Sequence, residues 1–187
     1  MSALKNAPTL QRRRFLIVSG FATATGSLPA WARASSTLGY NPFTLGVASG
    51  DAQIDNILIW TRLTAPPESL GMEDAPQLSP MKVHWEVAHD EQFRQIIASG
   101  SSTATAEWGH SVRVQVDGLA PDRWYFYRFM HGDATSTTGR ARTAPQVGAD
   151  VRQLRLAVAS CQRWEHGFYT AWRQVAQDAP DMVLFLG

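Results

Sequence analysis

The sequence has very little cysteine and no long uninterrupted hydrophobic run. Cys161 is the single cysteine among 187 residues, so no disulfide can form within the chain. The apolar stretch that follows residue 14 is diluted by glycine, threonine and serine, and it is too short to predict a membrane-spanning helix. Hydrophobic residues make up 44% and charged residues 18%, which excludes a collagen-like or wholly disordered chain.

Acidic residues are absent from the first 34 positions, and basic runs are absent from the rest of the chain. From Ser35 onward, 12 Lys and Arg residues stand against 16 acidic residues, a formal net charge of −4. A net-acidic body without a basic patch gives no electrostatic reason to expect nucleic-acid binding.

Residues 1–34 have the order of segments found in an export signal: a charged start, a mildly apolar run and a small-x-small cleavage pattern. Paired arginines before Phe-Leu fit the twin-arginine type. The residues that carry the pattern are Arg12, Arg13, Phe15 and Leu16 for the signal, with Ala32 and Ala34 for the cleavage site. We predict export through the twin-arginine translocation machinery and a periplasmic or secreted mature protein without a stable membrane span. A basic tail or an uncleaved anchor is the alternative.

Residues 40–145 predict a β-sandwich of the fibronectin type III or immunoglobulin type. Apolar and polar residues alternate in Met81–Val87 and in Ser111–Asp117, which indicates strands with one buried and one solvated face. On this pattern Glu86 belongs to the solvated face. A third run, Asn56–Arg62, is rich in β-branched and aromatic side chains, and a proline-rich loop over 65–80 follows it.

The segment 118–125 resembles the tyrosine corner of a fibronectin type III domain. Leu119-Ala120-Pro121 precedes Tyr125, and in such corners the tyrosine hydroxyl bonds to upstream backbone. The strand that follows is then expected to place Tyr125, Tyr127 and Phe129 in the core, with Trp124, Phe126 and Arg128 on the opposite face.

The pattern changes at Leu154 to that of an α/β unit, after a linker over 144–153. Leu154–Ser160 is apolar on both faces, as in a parallel strand covered on both sides, and Asp181–Leu186 is a second apolar strand. Between them, Gly167–Gln177 has a helical face, formed by Phe168, Trp172, Val175 and Ala176. Because one βαβ unit cannot cover a parallel sheet, we expect residues 152–187 to be the start of a truncated α/β domain.

Cys161 is the candidate metal ligand of the sequence. It follows the first strand of the α/β unit, and ligands bind at the carboxyl ends of such strands. Gly187 ends the second strand, so residues that follow Gly187 would lie beside Cys161. A thiolate there could hold a metal ion, or the cysteine could be a small buried hydrophobe. Of the histidines only His166 lies near this position, and no catalytic residue is predicted within the chain.

Four stretches resemble the PhoD-type alkaline phosphatases, in the order in which that family has them. They are the twin-arginine signal, Phe43–Asp51 with Ile59–Leu63, Gly118–Phe129 with Gly139–Pro145, and Val158–Gln162. The resemblance implies an exported metallophosphatase that hydrolyses phosphate monoesters and diesters with Fe³⁺ and Ca²⁺. It also implies that Cys161 binds the iron. The family's next motif begins Gly-Asp, and only Gly187 of it is present, so we expect this fragment alone to be inactive.

Two other functions remain open at this point. A secreted, non-catalytic β-sandwich could bind a partner through Trp124 and Phe126. A purple-acid-type phosphoesterase also carries a leading sandwich, but Cys161 stands where such an enzyme would have an Asp-x-His element.

Overall fold

The computed structural model describes residues 37–66, 69, 78–163, 165 and 167–187. The predicted export signal and its cleavage site lie outside these residues, as do His166 and most of the proline-rich loop. In the described part, no helix is long and apolar enough to cross a lipid bilayer.

Within the described residues, eight strands form two antiparallel sheets. They are β1 (Val47–Gly50), β2 (Ile57–Arg62), β3 (Met81–Ala88), β4 (Ile96–Ala104), β5 (Ser111–Val116), β6 (Trp124–His131), β7 (Ala134–Thr135) and β8 (Gly139–Arg142). One sheet has the order β1-β2-β5; the other has the order β4-β3-β6-β7, and β8 also pairs with β6. The two strands predicted from alternation and the third predicted from its β-branched and aromatic content are confirmed to within one residue, as β3, β5 and β2.

The two sheets share one hydrophobic core. Tyr125, Tyr127 and Phe129 of β6 are buried, as the alternation predicted. The same cluster contains Ile57 and Ile59 of β2 from the other sheet. Burial of aromatic and β-branched side chains from both inner faces is what holds two such sheets together.

The predicted tyrosine corner is confirmed. The Ala120 N–H donates to the Tyr125 hydroxyl at 2.8 Å, and that hydroxyl lies 3.2 Å from the Ala120 carbonyl oxygen, to which it donates. The Thr143 hydroxyl donates to the same carbonyl at 2.7 Å. The start of β6 is therefore tied both to the preceding turn and to the residue that follows β8.

Glu86 is buried, and its expected place on a solvated face is wrong. Its side chain accepts two hydrogen bonds from Arg128 of the neighbouring strand, at 2.7 and 2.9 Å, and the residue is 3% exposed. The Arg128 guanidinium carbon lies 4.0 Å from the centroid of the Phe93 ring. Arg128 supplies the opposite charge, and the Phe93 ring lies against the Arg128 guanidinium. The Glu86 carboxylate is therefore accommodated in a buried position on the face that was expected to be solvated.

Burial raises the pKa of Tyr127 to about 12, and a hydrogen bond with Ser49 opposes part of this rise. The folded chain therefore holds this proton more tightly than the unfolded chain, whose tyrosines titrate near pH 10. The resulting stability is fully present below about pH 10 and is lost as the pH rises toward 12.

We expect Tyr127→Phe to flatten the alkaline loss of stability. In urea unfolding between pH 8 and 12, the wild type should lose about 2 to 3 kcal/mol more than the variant. Because every other ionisable group is common to the two proteins, the difference between the two profiles isolates Tyr127. Parallel profiles for the two proteins would contradict the assignment.

The α/β unit consists of β9 (Leu156–Ala159), α1 (Thr170–Asp178) and β10 (Met182–Phe185). The two strands are parallel, with Leu156 opposite Met182 and Ala159 opposite Phe185. The predicted strand–helix–strand order is confirmed.

One expected detail of this unit, the start of the helix, differs from the structure. The helix begins three residues later than predicted, so Phe168 lies outside it and is 96% exposed. Trp172 does pack inward, with its ring centroid 5.4 Å from that of Phe185. Leu156, Val158 and Phe185 are all exposed, so the described residues do not cover both faces of the strand pair, as expected for a single βαβ unit.

Candidate metal site at the end of β9

Cys161 lies at the carboxyl edge of the parallel strand pair, two residues after β9 ends. Its backbone N–H donates to the carbonyl of Gly187, and the Leu186 N–H donates to the Ala159 carbonyl at 2.9 Å. The cysteine side chain is exposed. Cys161 therefore lies beside Gly187, and its side chain is exposed among the described residues rather than buried.

The backbone of Cys161 has a left-handed conformation, with φ of 55°. For a residue with a Cβ atom this region costs on the order of 1–2 kcal/mol, and glycine is its usual occupant. Non-glycine residues held in such conformations cluster at functional sites. Six other non-glycine residues of the described part also have a positive φ, so this conformation fixes the turn at Cys161 but does not by itself assign the residue a role.

An open cavity of about 720 Å³ lies beside Cys161. Its walls come from the end of β9, the segment after it and the first turn of α1, and they include Ser160, Gln162 and Tyr169. Tyr169 directly precedes α1, also has a left-handed backbone, and donates from its hydroxyl to the Arg163 carbonyl at 3.1 Å. The sequence analysis did not single out Tyr169, because it placed this residue inside the predicted helical segment Gly167–Gln177, whereas α1 begins at Thr170.

The described residues supply one candidate metal ligand and do not form a complete metal site. No group of three or more His, Cys, Asp or Glu side chains among them could hold an ion. A structural or catalytic metal needs at least three protein ligands, and calcium needs six or more oxygens. An exposed thiol at the end of a strand is accessible to a metal ion and could serve as one ligand. The other ligands would have to be residues outside the described part.

The described histidines lie away from this cavity. His84, His89, His110 and His131 all belong to the two-sheet part of the chain, and none lines the cavity. His131 is the last residue of β6, and its Nδ1 lies 2.8 Å from the Lys82 carbonyl oxygen. His89 packs against Tyr125, with ring centroids 5.5 Å apart.

Two family models match consecutive parts of the chain. The model described as "PhoD-like phosphatase, N-terminal domain" matches residues 30–145, and the model "PhoD-like phosphatase" matches residues 156–187. The first of these matches covers more than half of the chain and includes all eight strands of the two sheets. The second includes β9, α1 and β10, and with them Cys161.

A curated relative and a solved structure are similar to the same parts. Alkaline phosphatase D of Bacillus subtilis (strain 168) is 47% identical over 146 residues, which are 78% of this chain and 24% of the relative. A solved structure described as "Structure of PhoD" superposes with a TM-score of 0.73 at 44% identity, over 82% of this chain and 29% of that one. This chain thus spans about a quarter of the length of the curated relative.

Proposed function

This chain belongs to the PhoD-like phosphatase family, and on that premise we propose that it is the N-terminal part of an exported, metal-dependent phosphatase. The complete enzyme would hydrolyse small phosphate monoesters and diesters. The observation that carries the proposal is the exposed Cys161 thiol at the open carboxyl edge of β9 and β10, within a segment that matches the family. Because the chain spans a quarter of its curated relative, the activity is proposed for the longer protein, and the chain alone is proposed to be inactive.

Cys161 is proposed as the thiolate ligand of a ferric ion, with calcium ions nearby, as the family resemblance implies. When bound, such ions would polarise the phosphoryl oxygens of the ester. The role of the described residues is positional: the pairing of β9 with β10 and the left-handed turn at Cys161 fix where the thiol stands. The remaining ligands would be supplied by residues outside the described part.

The domain division is part of the proposal. We assign residues 1–34 to a twin-arginine signal, 40–145 to a fibronectin type III-like sandwich, and 152–187 to the start of the catalytic domain. The order of strands in the two sheets and the Tyr125 corner support the sandwich assignment. The arrangement of residues 1–34 supports twin-arginine export to the periplasm or the medium.

The alternative of a non-catalytic binding module has weaker support. It requires Trp124 and Phe126 to present their rings to a partner, yet both are half-buried and one face of the Trp124 ring already stacks on Arg140, whose guanidinium carbon lies 4.2 Å from the ring centroid. The part of the Trp124 ring that a partner could contact is correspondingly smaller.

The test is a chimera in which this chain replaces the matched portion of Bacillus subtilis alkaline phosphatase D. With iron and calcium supplied, we expect the chimera to hydrolyse a nitrophenyl phosphate monoester or the corresponding diester. The 187-residue chain alone should show no turnover under the same conditions. A folded chimera without activity, or metal-dependent turnover by the chain alone, would contradict the proposal.

A further inference from the structure

Arg142 connects the two-sheet unit with the α/β unit. It is the last residue of β8, and its guanidinium reaches two carboxylates that belong to different units. One terminal nitrogen donates to Asp122, in the turn before β6, at 2.5 Å, and the other donates to Asp181, just before β10, at 3.2 Å. A planar guanidinium suits this arrangement because it can direct separate N–H groups to two acceptors, which a lysine ammonium does less well.

Asp181 is firmly fixed within the α/β unit. Its second carboxylate oxygen accepts the Arg155 backbone N–H at 2.9 Å. The backbone N–H groups of Asp181 and Met182 both donate to the Arg155 carbonyl, at 2.9 and 3.3 Å. Asp181 therefore connects the start of β9 with the start of β10. A residue that binds the Asp181 side chain consequently restrains both strands.

Arg142 is equally fixed on the side of the two-sheet unit. Besides its pair with Asp122, its guanidinium carbon lies 5.6 Å from the centroid of the Trp124 ring. Its Nε is buried and has no partner among the described residues. The side chain is thus held by a charge and an aromatic ring before it reaches Asp181.

The linker between the units has few apolar contacts that could fix their orientation. The last backbone anchor of the two-sheet unit is the Ala144 N–H, which donates to the Gln53 carbonyl at 2.8 Å. Beyond it, Val147 is 94% exposed, and Val151 and Leu154 are more than half exposed. The linker itself therefore does little to fix the orientation of the α/β unit, whereas Arg142 forms a direct ion pair between the two units.

We propose that Arg142 is an interdomain latch, which holds the α/β unit in one orientation relative to the two-sheet unit through Asp122 and Asp181. Exposed ion pairs contribute little to the stability of a fold. Here, however, the linker keeps the partners at high effective concentration, so a modest interaction decides whether the units are docked. The inference concerns only the union of the two units and does not depend on the proposed phosphatase activity.

The latch is testable by ¹⁵N NMR relaxation on the 187-residue chain at low ionic strength. In the wild type, amides of 156–187 and of 40–145 should report one common rotational correlation time. Arg142→Ala should abolish this agreement, with shorter times for 156–187. Sodium chloride at about 1 M, where the Debye length is about 3 Å, should have the same effect on the wild type.

Two further variants separate the latch from a general loss of structure. Arg142→Gln removes the charge that pairs with Asp181 and leaves the bonds between Asp181 and Arg155 intact, so it should also uncouple the units while 156–187 stays folded. Arg140→Ala is the matched control: Arg140 also stacks on Trp124 but pairs with no carboxylate in the described part, so this variant should keep the common correlation time. A common correlation time in Arg142→Gln, or equal uncoupling in Arg140→Ala, would overturn the proposal.

Discussion

Replacement of Cys161 by serine in the chimera is expected to remove most of the bound iron and to lower kcat/KM by more than about 100-fold. Changes in residues that only support metal ligands already cost about 10- to 100-fold in affinity or activity, so loss of a ligand itself should cost more. A serine hydroxyl is nearly isosteric with the thiol but does not ionise at neutral pH, whereas a metal-bound thiol does. Elemental analysis of the purified chimera and steady-state kinetics measure the two effects.

A glycine at position 161 separates metal binding from structural support. Because the backbone there is left-handed, Cys161→Gly should leave the 187-residue chain as stable as the wild type, or more stable by about 1 kcal/mol. The same change in the chimera should remove the iron. Gln177→Ala, at an exposed position on α1, is the matched control and should keep both iron and activity. Iron content that is unchanged in both Cys161 variants would remove Cys161 from the site.

Gly139→Ala is expected to destabilise the two-sheet unit strongly. A Cβ atom at this position would lie 2.2 Å from Cζ of Tyr127 and 2.6 Å from both Cε atoms of the ring. Gly139 and Tyr127 face each other across the β6–β8 pair, and Tyr127 is only 2% exposed, so its ring has little room to move away. Overpacking of this kind typically costs about 1–3 kcal/mol, which corresponds to a fall in Tm of roughly 10 °C for a domain of this size.

Gly50→Ala is the appropriate control for this experiment. Gly50 also lies in a strand, but a Cβ atom there would meet nothing within 4 Å. Thermal unfolding followed by circular dichroism should therefore show a large shift for Gly139→Ala and almost none for Gly50→Ala. Equal midpoints for the two variants would mean that the Tyr127 ring does not restrict position 139.

Local patterns in the sequence were sufficient to predict three strands and the tyrosine corner. The same patterns could not predict which distant segments contact each other. Alternation located β3 and β5, since a half-buried strand repeats every two residues. The burial of Glu86 could not be read in the same way. It depends on Arg128, which is 42 positions away in the chain, and on Phe93, and neither contact leaves a local signal.

The same distinction applies to the candidate site, where the position of Cys161 was predictable but its backbone conformation was not. The rule that ligands bind at the carboxyl ends of parallel strands placed Cys161 next to Gly187, and the structure has this contact. The left-handed backbone at Cys161 was not predictable, because only glycine and asparagine signal such turns reliably in a sequence. The role of Arg142 was equally hidden, since it requires Asp122 and Asp181 to meet in space.

X-ray absorption at the iron edge of the chimera tests the assignment of Cys161 as a metal ligand most directly. We expect one sulfur in the first coordination sphere at about 2.3 Å, the distance typical of metal–thiolate bonds, and its loss in Cys161→Ser. An iron shell made only of oxygen and nitrogen in the chimera with Cys161 intact would contradict the assignment.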